Sequence, residues 1–191
     1  MANQTQRPDT ALHNTSHLMQ YHDLIESIVA AMDARDAYTA KHSDRVADMV
    51  LVLANALDLS EDETTLLHMA AHLHDIGKIA VPDSVLRKAG PLTNPEWEEM
   101  RRHPVTGYEI LRKVDDFKEI AVLVRHHHER WDGRGYPDGL RGADIPLGSR
   151  ILAVADSIDA MMSSRSYRPA MTSAACRREI ERNSGIMYDP S

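Results

Sequence analysis

The chain has 191 residues, 42% of them hydrophobic and 5% aromatic, and a net charge of −7 from 22 basic and 29 acidic side chains. That length suits one domain with a sizeable core; the acidic balance excludes a general nucleic-acid surface and leaves room only for a local basic cluster that takes a small anion. A single cysteine, Cys176, excludes an internal disulfide framework, and no apolar run approaches the length of a membrane span.

Residues 1–16 are polar and lack the apolar stretch of a signal peptide. They are expected to form a flexible tail ahead of one domain over residues 17–191, with a cytoplasmic location as the default. An excised piece of a longer protein would read the same way. From there the pattern is helix after helix. Leu18, Tyr21, Leu24, Ile25, Ile28, Val29 and Met32 fall at three- and four-residue steps and predict an amphipathic helix. A second is expected from about Ala40 to Leu57. Ser60 and Glu63 form a capping box for a third, which carries Leu66, Leu67, Ala70 and Leu73 and is expected to end near Gly77. Asn94-Pro95 opens another, with Pro in the first turn. Thr106 is expected to cap a short helix through Val114, and Phe117 to about Arg125 continues as helix. The stretch Arg130–Gly148 holds five Gly and two Pro, the composition of a long structured loop, and such a loop inside a compact domain is usually functional. Ile151–Met162 returns to helix. Thr172 caps the last helix, which is expected to stop at Ser184-Gly185. Cys176 sits in that helical pattern as a buried thiol. The fold expected is all-α.

Histidines and aspartates recur along these helices: His42, His74-Asp75, His103, His127-His128 and Asp156. Taken singly, each has a plain reading. His42 lies on a helix border, Asp75 has Lys78 as an ion-pair partner, and three consecutive histidines at 126–128 suit a solvated turn. Asp156 and Asp159 lie in the apolar run ILAVADSIDAMM, where a free carboxylate is costly and at least one needs a cation or strong donors. Imidazole and carboxylate groups in this order across several helices match the needs of a site for more than one divalent metal. Such a site activates water and holds a phosphoryl group, so the chemistry indicated is phosphoester hydrolysis. No P-loop or Ser-His-Asp arrangement supports a nucleotide triphosphatase or a covalent mechanism.

The segments YTAKHSDRV, HDIGKIAVPD, HPVTGYEIL, HHERWDGRGYPDGL and ADSIDAMMSSRSYRPAM resemble the HD-GYP family of bacterial phosphodiesterases, over about Ala30 to Pro190. The resemblance implies an all-α bundle of the HD superfamily with a long Gly/Pro-rich GYP loop, hydrolysing cyclic di-GMP to pGpG, and to GMP where the linear product is cut again. It implies two divalent ions, iron or manganese, held by His42, His74, Asp75, His103, His127, His128 and Asp156. His126 precedes the family's paired histidines and is left out. Asp75 and Lys78 carry the catalytic roles; Lys78, Tyr136, Arg165 and Arg168 match substrate contacts, and Asp36 and Thr39 match positions that can face the substrate. Arg165 and Arg168, nine and twelve residues after Asp156, would contact phosphate; the plain alternative is an exposed helix end. Some members carry a glutamate four residues before the first histidine, which recruits a third metal. Tyr38 stands there, so two metals are expected. The family runs past its FDP motif into a further helix while this chain stops at YDPS, which implies a shortened C-terminus. A diguanylate cyclase (GGDEF) is a candidate partner. Two rivals stand beside this reading. One is an HD phosphohydrolase for a mixed cyclic dinucleotide or an alarmone; the other is a non-catalytic nucleotide-sensing or docking module, which degenerate ligands would signal and this chain does not show.

Overall fold

The computed structural model describes residues 21–35, 41–164 and 169–191. Their regular structure is helical apart from an isolated bridge between Ser184 and Tyr188, in line with the all-α expectation. In chain order the α-helices are α1 (His22–Arg35), α2 (His42–Ala56), α3 (Glu61–Leu73), α4 (Asp83–Leu86), α5 (Asn94–Met100), α6 (His103–Leu111), α7 (Lys118–His126), α8 (Leu147–Met162) and α9 (Ser173–Arg182). Short 3-10 turns lie at Ile76–Ala80, Asp115–Phe117 and Gly142–Asp144. No helix among the described residues is long and apolar enough to cross a membrane.

Helix α2 packs between α3 and α8, α3 also packs on α7, and α7 lies against α6. Their apolar faces bury Val46, Val50, Leu67, Ala70, Ile120, Val124 and Leu152 completely or nearly so. Burial of the Val, Leu and Ile side chains among them contributes about 1.5–3 kcal/mol each, so these helices form a stiff frame. Cys176 is buried on α9, and burial raises its thiol pKa.

The expected starts of α3, α5 and α9 are present. Ser60 accepts the Glu63 amide while Glu63 accepts the Ser60 amide at 2.9 Å, Pro95 lies in the first turn of α5, and Thr172 caps α9. Several boundaries differ, among them the expected ends of α6 at Val114 and of α9 at Ser184-Gly185, which fall at Leu111 and Arg182. Helix α3 ends at Leu73, not near Gly77, and the chain passes into the 3-10 turn. Gly77 is no left-handed stop: a Cβ there would lie 1.9 Å from the His103 carbonyl oxygen and 2.6 Å from the Gly107 amide, so the glycine serves close packing of turn against helix. Helix α6 begins at His103 rather than at Thr106, because Pro104 lacks an amide proton and fits a first helical turn. Helix α8 begins at Leu147, a turn before Ile151. Gly148 and Ser149 are its hidden first turn: Gly148 lies against Leu123, and Ser149 Oγ donates to the Leu123 carbonyl at 3.0 Å.

Candidate metal centre

Asp75 follows the end of α3 and precedes the 3-10 turn, with φ −95° and ψ 3°. It is therefore not one helical step from His74; the chain bends there and swings the carboxylate into the space between helices. His103 Nε2 lies 3.5 Å from Asp75 Oδ1, while His74 Nε2 at 3.5 Å and His42 Nε2 at 3.9 Å face Oδ2. Asp156, from α8, reaches the same space and lies 3.3 Å from His42 Nε2. His127 Nε2 is 3.4 Å from His103 Nε2, and the His128 ring packs on both. The seven residues expected as ligands thus converge on one buried space.

Three of the imidazoles are anchored alike. Nδ1 of His74, His103 and His127 hydrogen-bonds the carbonyl three residues earlier, Ala71 at 2.6 Å, Met100 at 2.7 Å and Val124 at 2.6 Å. A carbonyl only accepts, so each Nδ1 carries the proton, and Nε2 is the nitrogen each ring turns toward the centre. Burial pushes His103 down to about 3 and His128 to about 4, and with its imidazole neighbours holds His127 well below the usual range. Burial also opposes ionisation of Asp75 and Asp156. For Asp75 it is outweighed by Lys78 and the surrounding histidines, and for Asp156 by the His42 hydrogen bond and neighbouring imidazoles, so both lie below the ordinary carboxylate range.

Asp159, marked in the sequence as a carboxylate in an apolar run, proves to be an outer partner, and Arg45 is one the sequence reading missed. Asp159 Oδ2 accepts from His42 Nδ1 at 2.6 Å, and Arg45 Nε donates to Asp159 Oδ1 at 2.6 Å. Asp159 is buried; the desolvation that raises it is overcome by His42 and Arg45, which bring it to about 2. The signal was present as two matched three-residue spacings, His42/Arg45 and Asp156/Asp159, on packed helices. For His42, burial is outweighed by Asp156, Asp159 and Asp75, which raise it to about 9. A metal-ligating histidine with a carboxylate behind it is the common outer arrangement of such sites.

Glu129 was also overlooked. Buried, it accepts the loop amides of Asp138 at 2.7 Å and Gly139 at 3.0 Å through Oε1. It shapes the loop that lays the Tyr136 ring 4.9 Å from that of His128. Gly135 lets the loop cross its own start, since a Cβ there would meet Glu129 and Arg130 backbone atoms at 2.4 Å. Lys78 Nζ pairs with Asp75 Oδ2 at 2.6 Å, the ion pair that is the plain alternative to Asp75 as a metal ligand. His126 points elsewhere, with Nε2 3.0 Å from Asp138 Oδ2. Asp36, Tyr38, Thr39, Arg165 and Arg168 lie outside the described residues.

The donor chemistry fits divalent metals. His42, His74 and Asp75 form one tight group of potential ligand atoms and His103, His127 and His128 another. His74 Nε2 is buried without a hydrogen-bond partner, an orphan that a cation would satisfy.

The comparisons agree with this geometry. Residues 22–191 match the HD domain family. The chain is 44% identical over 170 residues to the cyclic di-GMP phosphodiesterase response regulator RpfG of Xanthomonas campestris pv. campestris, covering 88% of this chain and 45% of that protein. It is 40% identical over 173 residues to 3'3'-cGAMP-specific phosphodiesterase 2 of Vibrio cholerae, covering 88% of this chain and 33% of that protein. Among solved structures, a cyclic GMP-AMP specific phosphodiesterase of V. cholerae superposes with a TM-score of 0.68 at 22% identity, over 88% of this chain and 45% of that one. The chain thus spans less than half the length of these relatives. Its helices, its His-Asp centre and its match over residues 22–191 place it in the HD-domain family.

Proposed function

We propose that this chain is a metal-dependent phosphodiesterase that hydrolyses cyclic di-GMP to pGpG, and to GMP where the linear product is cut again. The observation that carries the proposal is the convergence of His42, His74, His103, His127, His128 and Asp156 around Asp75, with histidine nitrogens on both carboxylate oxygens. His42, His74 and Asp156 would hold one divalent ion and His103, His127 and His128 a second, with Asp75 between them. Iron or manganese suits this mixture of imidazole and carboxylate. Tyr38, where a glutamate would be needed, supports two ions rather than three. When bound, the ions supply Lewis acidity and an activated water for in-line attack on phosphorus.

The protein's own groups set the rest. The Nδ1 partners of His42, His74, His103 and His127 fix those rings before substrate arrives, so little reorganisation is left to the reaction. Lys78, beside Asp75, would take a non-reacting phosphate oxygen, and Arg165 and Arg168 would bind further phosphate oxygens. Tyr136, held beside His128, offers a face to a substrate base. A cleft whose lining includes Met32, Asp33, Arg35, Ser43 and His72 reaches the centre only at Asp75 and its partner Lys78.

A mixed cyclic dinucleotide is the second reading, favoured by the relative named as specific for 3'3'-cGAMP. Metal-stripped protein reloaded with Mn2+ or, without oxygen, Fe2+ is given cyclic di-GMP and 3'3'-cGAMP in separate assays. Faster conversion of cyclic di-GMP to pGpG is expected. Faster turnover of the mixed dinucleotide would install the second reading, and turnover of neither would overturn both.

A further inference from the structure

A second group of three histidines lies outside this centre. His22 opens α1, and His68 and His72 stand four residues apart on α3. Four residues is the helical spacing that puts two imidazoles on one face, as in helical zinc motifs. One potential ligand nitrogen from each of the three lies within 4.8 Å of the others. The His68 and His72 rings are 4.8 Å apart and nearly perpendicular, and His22 stands 6.1 Å from His68 and 5.8 Å from His72 between ring centroids.

His72 is 7% exposed, and its Nδ1 is buried with no hydrogen-bond partner. Asp44 Oδ1 is 3.6 Å from that nitrogen, and Glu26 Oε1 is 3.6 Å from His22 Nδ1. Carboxylates thus flank the group on two sides. The placement mirrors the first centre. His72 and His74 are two residues apart, as are Asp44 and His42, and two helical residues point about 200° apart. The α2–α3 pair therefore presents His42 with His74 on one side and Asp44 with His72 on the other.

We propose that His22, His68 and His72 form a second metal site, which takes a zinc-class divalent ion and fastens α1 to α3. Three imidazoles with a carboxylate or water in the fourth position are a familiar donor set for Zn2+ and suit it better than Mg2+ or Ca2+. The ion has a structural task. Helix α1 buries Ile25 and Val29 but leaves Leu24 57% exposed. At its other end Arg35 donates to the carbonyls of Lys78 at 3.0 Å, Ile79 at 2.8 Å and Val81 at 2.6 Å, and so holds the turn that carries Lys78. A metal at the start of α1 would brace the helix whose end supports that turn.

The test is the zinc content of the full chain after equilibrium dialysis against Zn2+ alone, read with the thermal midpoint. His68→Gln is compared with its parent both in the wild-type chain and beside Asp75→Asn, which disables the first centre. The expected result is one equivalent fewer per chain with His68→Gln in both backgrounds. Zn2+ should raise the midpoint of the Asp75→Asn chain but not that of the double variant. Loss of an imidazole ligand should weaken zinc binding by more than the roughly 10–100-fold that loss of an outer partner costs. His22→Gln, at the helix start, gives the same result by a route that does not touch α3. Unchanged zinc content in both variants would overturn the proposal and leave the three rings as an aromatic packing cluster.

Discussion

The two histidine groups on either side of the α2–α3 pair are built differently. In the first, His74, His103 and His127 each have Nδ1 on a carbonyl three residues back, and His42 has Asp159 behind it. Four of its five rings are aimed by a hydrogen bond, and His128 is held by ring packing. In the second, His22, His68 and His72 pack mainly on one another, and among the described residues no carbonyl fixes a ring. The contrast separates a centre organised for chemistry, where misplacement is costly, from one suited to holding two helices together.

Asp75→Ala should break the contrast most severely. It removes the carboxylate whose two oxygens face histidines of both groups in the first centre, so phosphodiesterase activity should fall to background and at least one iron or manganese ion should be lost, measured by turnover and elemental analysis. Zinc uptake that depends on His68 should persist. Loss of both together would mean that the two groups are not independent.

Gly77→Ala tests the backbone frame of the first centre. A Cβ 1.9 Å from the His103 carbonyl must push α6 away from the turn. Destabilisation of roughly 3 kcal/mol or more is expected in denaturant unfolding, the scale of severe overpacking. A near-neutral result would show that turn and helix are not packed as described.

Much of this was legible in the sequence, and the misses have physical causes. Periodicity and the Ser60, Pro95 and Thr172 signals located helices because they act within a few residues. The start of α8 was hidden because Leu147, Gly148 and Ser149 look like loop until Leu123 is seen against them. Gly77 read as a stop because its true neighbour, His103, is remote in sequence. In the centre, residue types and order pointed to the histidines and aspartates. The role of Asp159, flagged only as a costly carboxylate, and those of Arg45 and Glu129 escaped because they consist of partners on other segments: His42 for Asp159, Asp159 for Arg45, and the Asp138 and Gly139 amides for Glu129. The Lys78–Asp75 pair was weighed in advance and is present.

Asp159→Asn sharpens the difference in ring anchoring. The fold should survive, and metal affinity should fall about 10–100-fold, as for other outer partners. The substitution also has an acid signature in metal-stripped protein. Native Asp159 is held down to about 2, below its unfolded value, so its stabilisation is complete above about pH 4 and is lost as pH falls toward 2. The stability gap between wild type and variant should therefore narrow over that interval in urea titrations. A gap independent of pH would remove the carboxylate from this role.

His126→Ala should have the smallest effect. Its Nε2 meets Asp138, which Arg125 also holds at 2.7 Å. A change within about 1 kcal/mol and unaltered metal content are expected. Loss of metal equal to that of His127→Ala would shift the ligand register by one residue.

The most direct test of the central claim is the iron and manganese content of the protein prepared without oxygen and loaded to saturation with either metal. About two ions per chain are predicted, both dependent on the residues around Asp75. A chain that retains neither metal at this centre, or that holds three there despite Tyr38, would contradict the account.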